Sequence, residues 1–222
     1  MADPNMSYGL GSIKLKLSPA MIDTDSYQAT PRASALAIIR EEHRMLRSVM
    51  QTLEQVVQEL LTHHIDADHA LIACMLYYIE DFPERCHHPK EDEYLFRLLR
   101  ERTSRADAVL DELQAKHVRS AQMMAYLQRS FVHYLGGAPD GLRHFADAVE
   151  SYAAFLGDHM EQEEDRVLPL AEKYLQPDDW QAIDAAFRAN RDPLGGEQLQ
   201  REFRKLKQRI ANLLPRRLKP HY

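Results

Sequence analysis

A repeated histidine pattern constrains this 222-residue sequence more than any other feature. Each copy has a lone histidine followed by a His-x3-Glu motif, and the residues are His43, His87, Glu91, His117, His159 and Glu163. The two lone histidines lie 74 residues apart, and the two motif histidines lie 72 residues apart. Because residues four apart share one face of an α-helix, each motif sets an imidazole beside a carboxylate. A repeat of this kind predicts an architecture of two similar halves.

Four segments of about 30 residues carry apolar side chains at helical spacing, and short connections join them. They cover residues 30–61, 68–102, 104–135 and 142–174. Thr30 is a suitable N-cap for the first, and Ser104 with Asp107 forms a partial capping box for the third. Short connections make neighbouring helices antiparallel. The sequence therefore predicts an all-α, up-down-up-down four-helix bundle with a C-terminal helical appendage.

The pattern divides the chain into three parts. Residues 1–29 show no helical period and are expected to form an N-terminal tail, and residues 30–175 form the bundle. Residues 176–222 form a C-terminal extension, with a short helix at "WQAIDAAFRAN" and an amphipathic helix near the end. Residues 201–222 contain eight Lys or Arg against one Glu. We interpret this basic face as packed against the acidic bundle, with a lipid or nucleic-acid patch as the alternative.

The composition of the chain argues against several classes of function. A net charge of −6 argues against the whole chain as a nucleic-acid partner. The two cysteines, Cys74 and Cys86, are too few for a disulfide framework. The N-terminal stretch lacks the apolar core of a signal peptide, and no run approaches the roughly 18 apolar residues of a membrane span. We expect a cytoplasmic protein with no membrane association.

Four antiparallel helices can each direct one histidine inward at the same level of a bundle. Imidazole suits iron, zinc and copper, and carboxylates add hard oxygen ligands. Two carboxylates, each one turn from a histidine, can span two metal ions. The repeat therefore predicts a two-metal site with coordination positions open to a small ligand.

Two prolines bracket His87, the histidine of the first His-x3-Glu motif. A proline inside a regular helix costs roughly 3 kcal/mol, so Pro83 and Pro89 predict a local kink that re-aims His87. Glu91 then lies in a disturbed turn, whereas Glu163 is expected in a regular stretch. The two carboxylates should therefore have unequal surroundings.

The neighbours of the six residues predict a small, dry pocket. Side chains one turn away are mostly apolar or uncharged, namely Ile39, Leu46, Met50, Leu113, Ala121, Met124, Tyr152, Phe155 and Leu156. We expect Arg47 at the solvated edge of its helix and Cys86 as a buried thiol. His88 points about 100° away from His87, so it is expected at the surface or outside the ligand set.

The stretches "EEHRML", "FPERCHHPKEDEYLF" and "DHMEQEEDRVLPLAEKYL" resemble the bacterial type of hemerythrin-like, or HHE cation-binding, domain. The resemblance covers about residues 32–175. It implies a non-haem di-iron centre, with an oxo or hydroxo bridge, that meets O2 or a related small molecule such as NO. Zinc or another divalent metal is the alternative. The family's ligand positions match His43, His87, Glu91, His117, His159 and Glu163.

One position departs from the family pattern. Oxygen-carrying hemerythrins have a second histidine one turn after the third-helix ligand, where this chain has Ala121. The departure argues against simple reversible O2 carriage. The chain resembles members linked to O2 sensing, NO response or iron handling.

Three functions compete. The first is a di-iron binding or sensing protein, and the second is a di-iron enzyme that reduces peroxide or NO or acts as an oxidase. The third is a structural bundle with a zinc-filled site. A ferritin-like site needs Glu-x-x-His on two helices, and only Glu84 with His87 has that spacing. No cysteine cluster or flavin-type glycine loop indicates a built-in electron donor, so the redox partner is unidentified and enzyme activity is not the first expectation. A homodimer is left open.

Overall fold

The computed structural model describes residues 29–63 and 68–189, and nearly all of these residues are helical. The helices are α1 (Pro31–His63), α2 (residues 69–102), α3 (Asp107–Leu135), α4 (residues 141–174) and α5 (Pro177–Ala189). The predicted all-α bundle is confirmed. The N-terminal tail, residues 64–67 and the basic C-terminal helix lie outside the described residues. Within the described ranges, no helix combines the length and apolar character needed to cross a membrane.

The helix starts follow local capping chemistry. Thr30 Oγ1 accepts a hydrogen bond from the Ala33 N–H at 3.3 Å, so the predicted cap of α1 is present. The predicted capping box of Ser104 is wrong, because the preceding residue takes that role. Thr103 has an extended backbone and accepts from the Arg105 N–H at 3.2 Å. A 3-10 turn, Ser104–Ala106, therefore separates this cap from α3.

A tight turn holds α3 against α4. Gly137 has a φ of 72°, a conformation that favours glycine. A Cβ on Gly141 would lie 2.8 Å from the Tyr134 Cα, so only glycine permits this approach of the two helices. The turn thus fixes the antiparallel pairing that places the inward faces of α3 and α4 together.

Two apolar clusters fill the bundle, and a polar layer separates them. The first surrounds the α3–α4 turn and includes Leu53, Ile72, Met75, Leu127 and Phe145. The second surrounds α5 and includes Ile39, Phe96, Leu110, Leu168 and Phe187. Along each of the four long helices, the histidines and carboxylates of the repeat lie between residues of one cluster and residues of the other. The polar layer is therefore buried from both ends.

Helix α5 packs across α1 and belongs to the second cluster. Its side chains Trp180, Ile183 and Phe187 are buried. Arg102 holds the start of the helix, because its guanidinium donates two hydrogen bonds of 2.8 Å to the Asp179 carboxylate. Near the other end, Lys90 Nζ donates to the Ala186 carbonyl at 2.8 Å. The described part of the C-terminal extension is thus part of the same core as the bundle.

We expect Phe187→Ala to lower the free energy of unfolding by about 3–5 kcal/mol, because it removes a fully buried aromatic ring and leaves a cavity. Urea unfolding followed by circular dichroism measures the change. Val132→Ala is the control, since Val132 is 65% exposed and its truncation should change stability by less than about 0.5 kcal/mol. Equal effects of the two substitutions would contradict the assignment of α5 to the core.

Candidate metal centre

Wide π-type turns interrupt α2 and α4 beside the repeated motifs. They span Pro83–His87 and Glu91–Phe96 in α2 and Glu163–Val167 in α4. In the first, the His88 N–H donates to the Pro83 carbonyl, five residues back rather than four. Such turns occur often at functional sites, because they change the direction of the side chains that follow.

Proline accounts for two of these turns. A proline ring clashes with the carbonyl four residues before it and offers no N–H to that carbonyl. For Pro89 this carbonyl belongs to Arg85, inside the first π-turn, and for Pro169 it belongs to Asp165, inside the third. The wider turn relieves the clash. The distortion that the sequence predicted near His87 is therefore present as a π-turn.

The expectation that Glu91 and Glu163 differ in surroundings is wrong. Each is the first residue of a π-turn, and their exposed fractions are 0% and 1%. The physical reason is Pro169, which disturbs α4 much as Pro89 disturbs α2. The sequence interpretation overlooked this proline because it lies beyond the motif rather than within it.

The structure brings all six predicted site residues together from four helices. Three imidazole-to-donor distances define a first group. His43 Nε2 lies 2.9 Å from His87 Nε2 and 3.2 Å from Glu163 Oε2. His87 Nε2 lies 3.2 Å from Glu91 Oε1. All four residues are buried.

A second group forms on the other side of the same carboxylates. His159 Nε2 lies 3.2 Å from Glu163 Oε1. His117 Nε2 lies 3.6 Å from Glu91 Oε2 and 3.7 Å from Glu163 Oε1. Each carboxylate therefore directs one oxygen to each group, which is the arrangement of a bridge between two ions.

The donor set fits two metal ions. Both oxygens of Glu91 and of Glu163 are buried without a hydrogen-bond partner among the described residues, as are His117 Nε2 and both ring nitrogens of His159. Ions with bonds of about 2.0–2.2 Å to nitrogen and oxygen hold adjacent donors roughly 3 Å apart, close to the distances within each group. Coordination would satisfy all of these buried atoms except Nδ1 of His159.

Three outer carboxylates fix the orientation of three imidazoles. The Nδ1–H of His43 donates to Glu164 at 2.8 Å, and the Nδ1–H of His87 donates to Glu42 at 2.8 Å. In the same way, the Nδ1–H of His117 donates to Asp92 at 3.0 Å. Each ring then presents Nε2 to the centre. Carboxylates in this position orient metal-binding histidines and raise their basicity.

Arg47 lies between Glu164, one of the three outer carboxylates, and the solvent. Its guanidinium donates to Glu164 at 2.9 Å, and its side chain is 33% exposed. The predicted position of Arg47 at the edge of its helix agrees with this contact. Arg47 reaches the centre only through Glu164, so it adds no donor to the interior.

Carboxylates raise the pKa of three of the rings. Burial lowers the pKa of His87, but the charge of Glu91 and the hydrogen bond to Glu42 outweigh it and raise the pKa to about 9. Burial likewise lowers the pKa of His117, yet Asp92, Glu163 and Glu91 raise it to about 11. The pKa of His43 is also raised well above its ordinary value, because its carboxylate partners outweigh burial.

The pKa values of His159 and His88 shift in the opposite direction. Burial lowers the pKa of His159 to about 4 and also lowers the pKa of His88. Burial acts to raise the pKa of Glu91, but His87 and the other imidazoles outweigh it, so the pKa of this carboxyl lies well below its ordinary value. The interior is therefore a mixed layer of carboxylates, protonated imidazoles and neutral imidazoles.

His88 is a buried residue of this layer that the sequence interpretation expected at the surface or outside the ligand set. Its side chain is buried, and its ring stacks on the His117 ring with centroids 4.1 Å apart and an interplanar angle of 12°. The expectation of a surface position is wrong because the 100° rule holds for a regular α-helix. A π-turn has more residues per turn, so neighbouring side chains diverge less. The signal in the sequence was the pair of prolines around the double histidine.

Ala121 is a second correction. It was expected to line the pocket, but it is exposed on α3. The inward position in that turn belongs to Ser120, whose hydroxyl bonds the Tyr152 hydroxyl at 3.1 Å. The remaining predicted pocket residues are buried except for Phe155, which is partly buried. Cys86 is the buried thiol that was expected.

Metal binding should release protons and strengthen as pH rises. Between pH 6 and 8, which lies below the raised pKa values of His87 and His117, these rings carry protons that a metal at Nε2 must displace. Each displaced proton makes the affinity rise about tenfold per pH unit. Calorimetric titration in buffers of different ionisation enthalpy measures the release. Binding without proton release would show that these rings are not ligated.

The match to known families agrees with this geometry. The model of the hemerythrin HHE cation-binding domain matches residues 34–171, which span the bundle from α1 to the last turns of α4. No curated protein matches the sequence. The matched residues include every histidine and carboxylate of the two groups. The chain belongs to the hemerythrin HHE cation-binding domain family.

Proposed function

We propose that this protein holds two iron ions between its four long helices and that the loaded centre interacts with O2 or NO. The ligands in this proposal are His43, His87, Glu91, His117, His159 and Glu163. One observation carries it. Glu91 and Glu163 each divide their two oxygens between two groups of imidazole nitrogens. Iron bound there would supply the reactivity toward diatomic molecules.

The donor chemistry fits iron, one of the metals that a cation-binding domain can take. The two groups contain imidazole nitrogen and carboxylate oxygen and no thiolate. Mixed nitrogen and oxygen donors suit iron as well as zinc, whereas sulfur donors favour copper(I) and iron–sulfur clusters. The six residues supply four protein donors to each ion, fewer than the six of an octahedral site. Positions thus remain for a small molecule at each ion.

The walls of the centre favour a diatomic molecule over a polar organic substrate. Apolar side chains flank the polar layer on both sides, namely Ile39, Leu46, Leu95, Leu113, Met124, Leu156 and Val167. The nearby hydroxyls of Ser120 and Tyr152 bond to each other. Few donors are therefore left to orient a larger polar molecule. Binding, sensing, or handling of iron under oxidative stress are the roles consistent with such walls.

The protein's own side chains have defined parts in this function. Glu42, Asp92 and Glu164 hold the Nδ1 protons of their histidines and so fix the direction of Nε2. The two apolar clusters exclude water from the layer. Phe187 on α5 lies edge-on to His87, with ring centroids 6.1 Å apart, and covers that side.

We expect Glu163→Gln to remove at least one metal ion per chain, because a neutral amide cannot bridge two cations as a carboxylate does. Metal analysis after iron loading without air and gel filtration gives the stoichiometry. His133→Gln is the matched control, since it removes one histidine from the exposed His133–Asp140–His144 group and leaves the buried centre intact. Full retention of two tightly bound ions in Glu163→Gln would remove this residue from the ligand set.

Addition of O2 or NO to the reduced, iron-loaded protein should change its absorption spectrum. Oxidised iron at such a centre absorbs in the near ultraviolet and visible, whereas zinc does not. Steady turnover of peroxide or NO with an added electron donor would favour the alternative function, a di-iron enzyme. Absence of a spectral change with both gases would refute the proposed function, as would full zinc occupancy in protein from iron-replete cells.

A further inference from the structure

We infer that His88 is a seventh metal ligand, completing the position formed by His117 and His159. This inference rests on the two-metal centre proposed above and adds a residue to it. It concerns a histidine outside both copies of the repeat.

The first observation is that no polar atom of the described residues lies within hydrogen-bond distance of the ring nitrogens. His88 is 4% exposed, and neither of its ring nitrogens has a hydrogen-bond partner among the described residues. A buried imidazole without partners costs free energy, since it has lost its water and gained nothing. A metal ion on one nitrogen would remove part of that cost.

The second observation is the short distance between His88 and two other imidazoles. His88, His117 and His159 each offer a ligand atom, and these atoms lie within 4.8 Å of one another. Adjacent donors around one ion with bonds of about 2.1 Å are roughly 3 Å apart, so binding would draw the three ligand atoms together and tilt the His88 ring out of its stack on His117. The His88 ring also lies close to both partners, with centroid distances of 4.1 Å to His117 and 5.3 Å to His159.

The third observation is an outer carboxylate. Glu84 Oε1 lies 3.6 Å from His88 Nδ1, one helical turn before it. Three other rings of the centre also direct Nδ1 to a carboxylate and Nε2 to the interior, namely His43, His87 and His117. His88 repeats this orientation with a longer contact. Its Nε2 is then the nitrogen available to the metal.

The fold explains why α2 supplies this ligand. On α3, the residue one turn after His117 is Ala121, which is exposed and could not direct a side chain inward. The π-turn at Pro83–His87 instead lets two consecutive residues of α2, His87 and His88, face the interior. One therefore joins the first group and the other the second.

The inference makes the two metal positions unequal. The ion beside His117 and His159 gains a fifth protein donor, while the ion beside His43 and His87 keeps four. We therefore expect one ion to bind more tightly than the other in the unaltered protein. The tighter ion should be the one that depends on His88.

The test is a titration of the metal-free protein with Fe(II) in the absence of air, comparing His88→Gln with the unaltered chain. We expect the affinity for one of the two ions to fall at least tenfold, and the affinity for the other to change less than threefold. His69→Gln is the matched control, because it removes an exposed histidine from the same helix. It should leave both affinities unchanged. Two ions bound by His88→Gln with unaltered affinities would overturn the inference.

Two further results separate the possible failures. If the unaltered protein binds fewer than two ions, the two-metal centre itself fails, and the role of His88 fails with it. If His88→Gln does not fold, a crystal structure of the iron-loaded unaltered protein decides instead. An ion within about 2.3 Å of a His88 nitrogen supports the inference, and a separation above about 3 Å refutes it.

Discussion

The rest of the structure depends on two carboxylates, Glu91 and Glu163, buried at the centre of a helical bundle. An ionised carboxylate without a partner is very costly in such a place, so the surrounding groups must supply positive charge. In the metal-free protein His43, His87 and His117, from three of the helices, do this, because carboxylate contacts raise the pKa of each ring. Bound cations would take over the same task. The polar layer also divides the apolar core into two clusters, so its integrity links both ends of the bundle.

Local backbone geometry brings the histidines and carboxylates of the repeat to one level. Regular α-helices would direct His87 and His88 about 100° apart, and the prolines would break the hydrogen-bond ladder. The π-turns solve both problems, since they accommodate Pro89 and Pro169 and widen the helix beside the motifs. Such turns are irregular, and the packing on either side must hold them. Buried side chains of the two apolar clusters flank each π-turn.

A second ring of interactions surrounds the centre. Glu42, Asp92 and Glu164 hold imidazole Nδ1 atoms, and Glu84 faces His88 at a longer distance. Helix α5 closes one side through Phe187, and Arg102 with Asp179 fixes the start of that helix. The orientation of these imidazoles is thus fixed by residues outside the two groups of donors. Removing them would leave the ligands in place but free to turn.

The sequence by itself determined the helical class, the four long segments and the six repeated residues, because helical spacing and a 72–74-residue offset are local and countable. Only the tertiary structure decided that His88 faces inward and Ala121 outward. It also decided that Glu91 and Glu163 have similar surroundings and that Thr103 caps the turn before α3. The outcomes for His88, Glu91 and Glu163 depend on π-type backbone hydrogen bonds, which join an N–H to the carbonyl five residues before it. The others depend on tertiary packing, which also decides which residue caps the turn. Sequence periodicity predicts side-chain directions only for a regular α-helix, in which each residue turns by 100°. The helices depart from that geometry near the prolines, beside the histidines and carboxylates of the repeat.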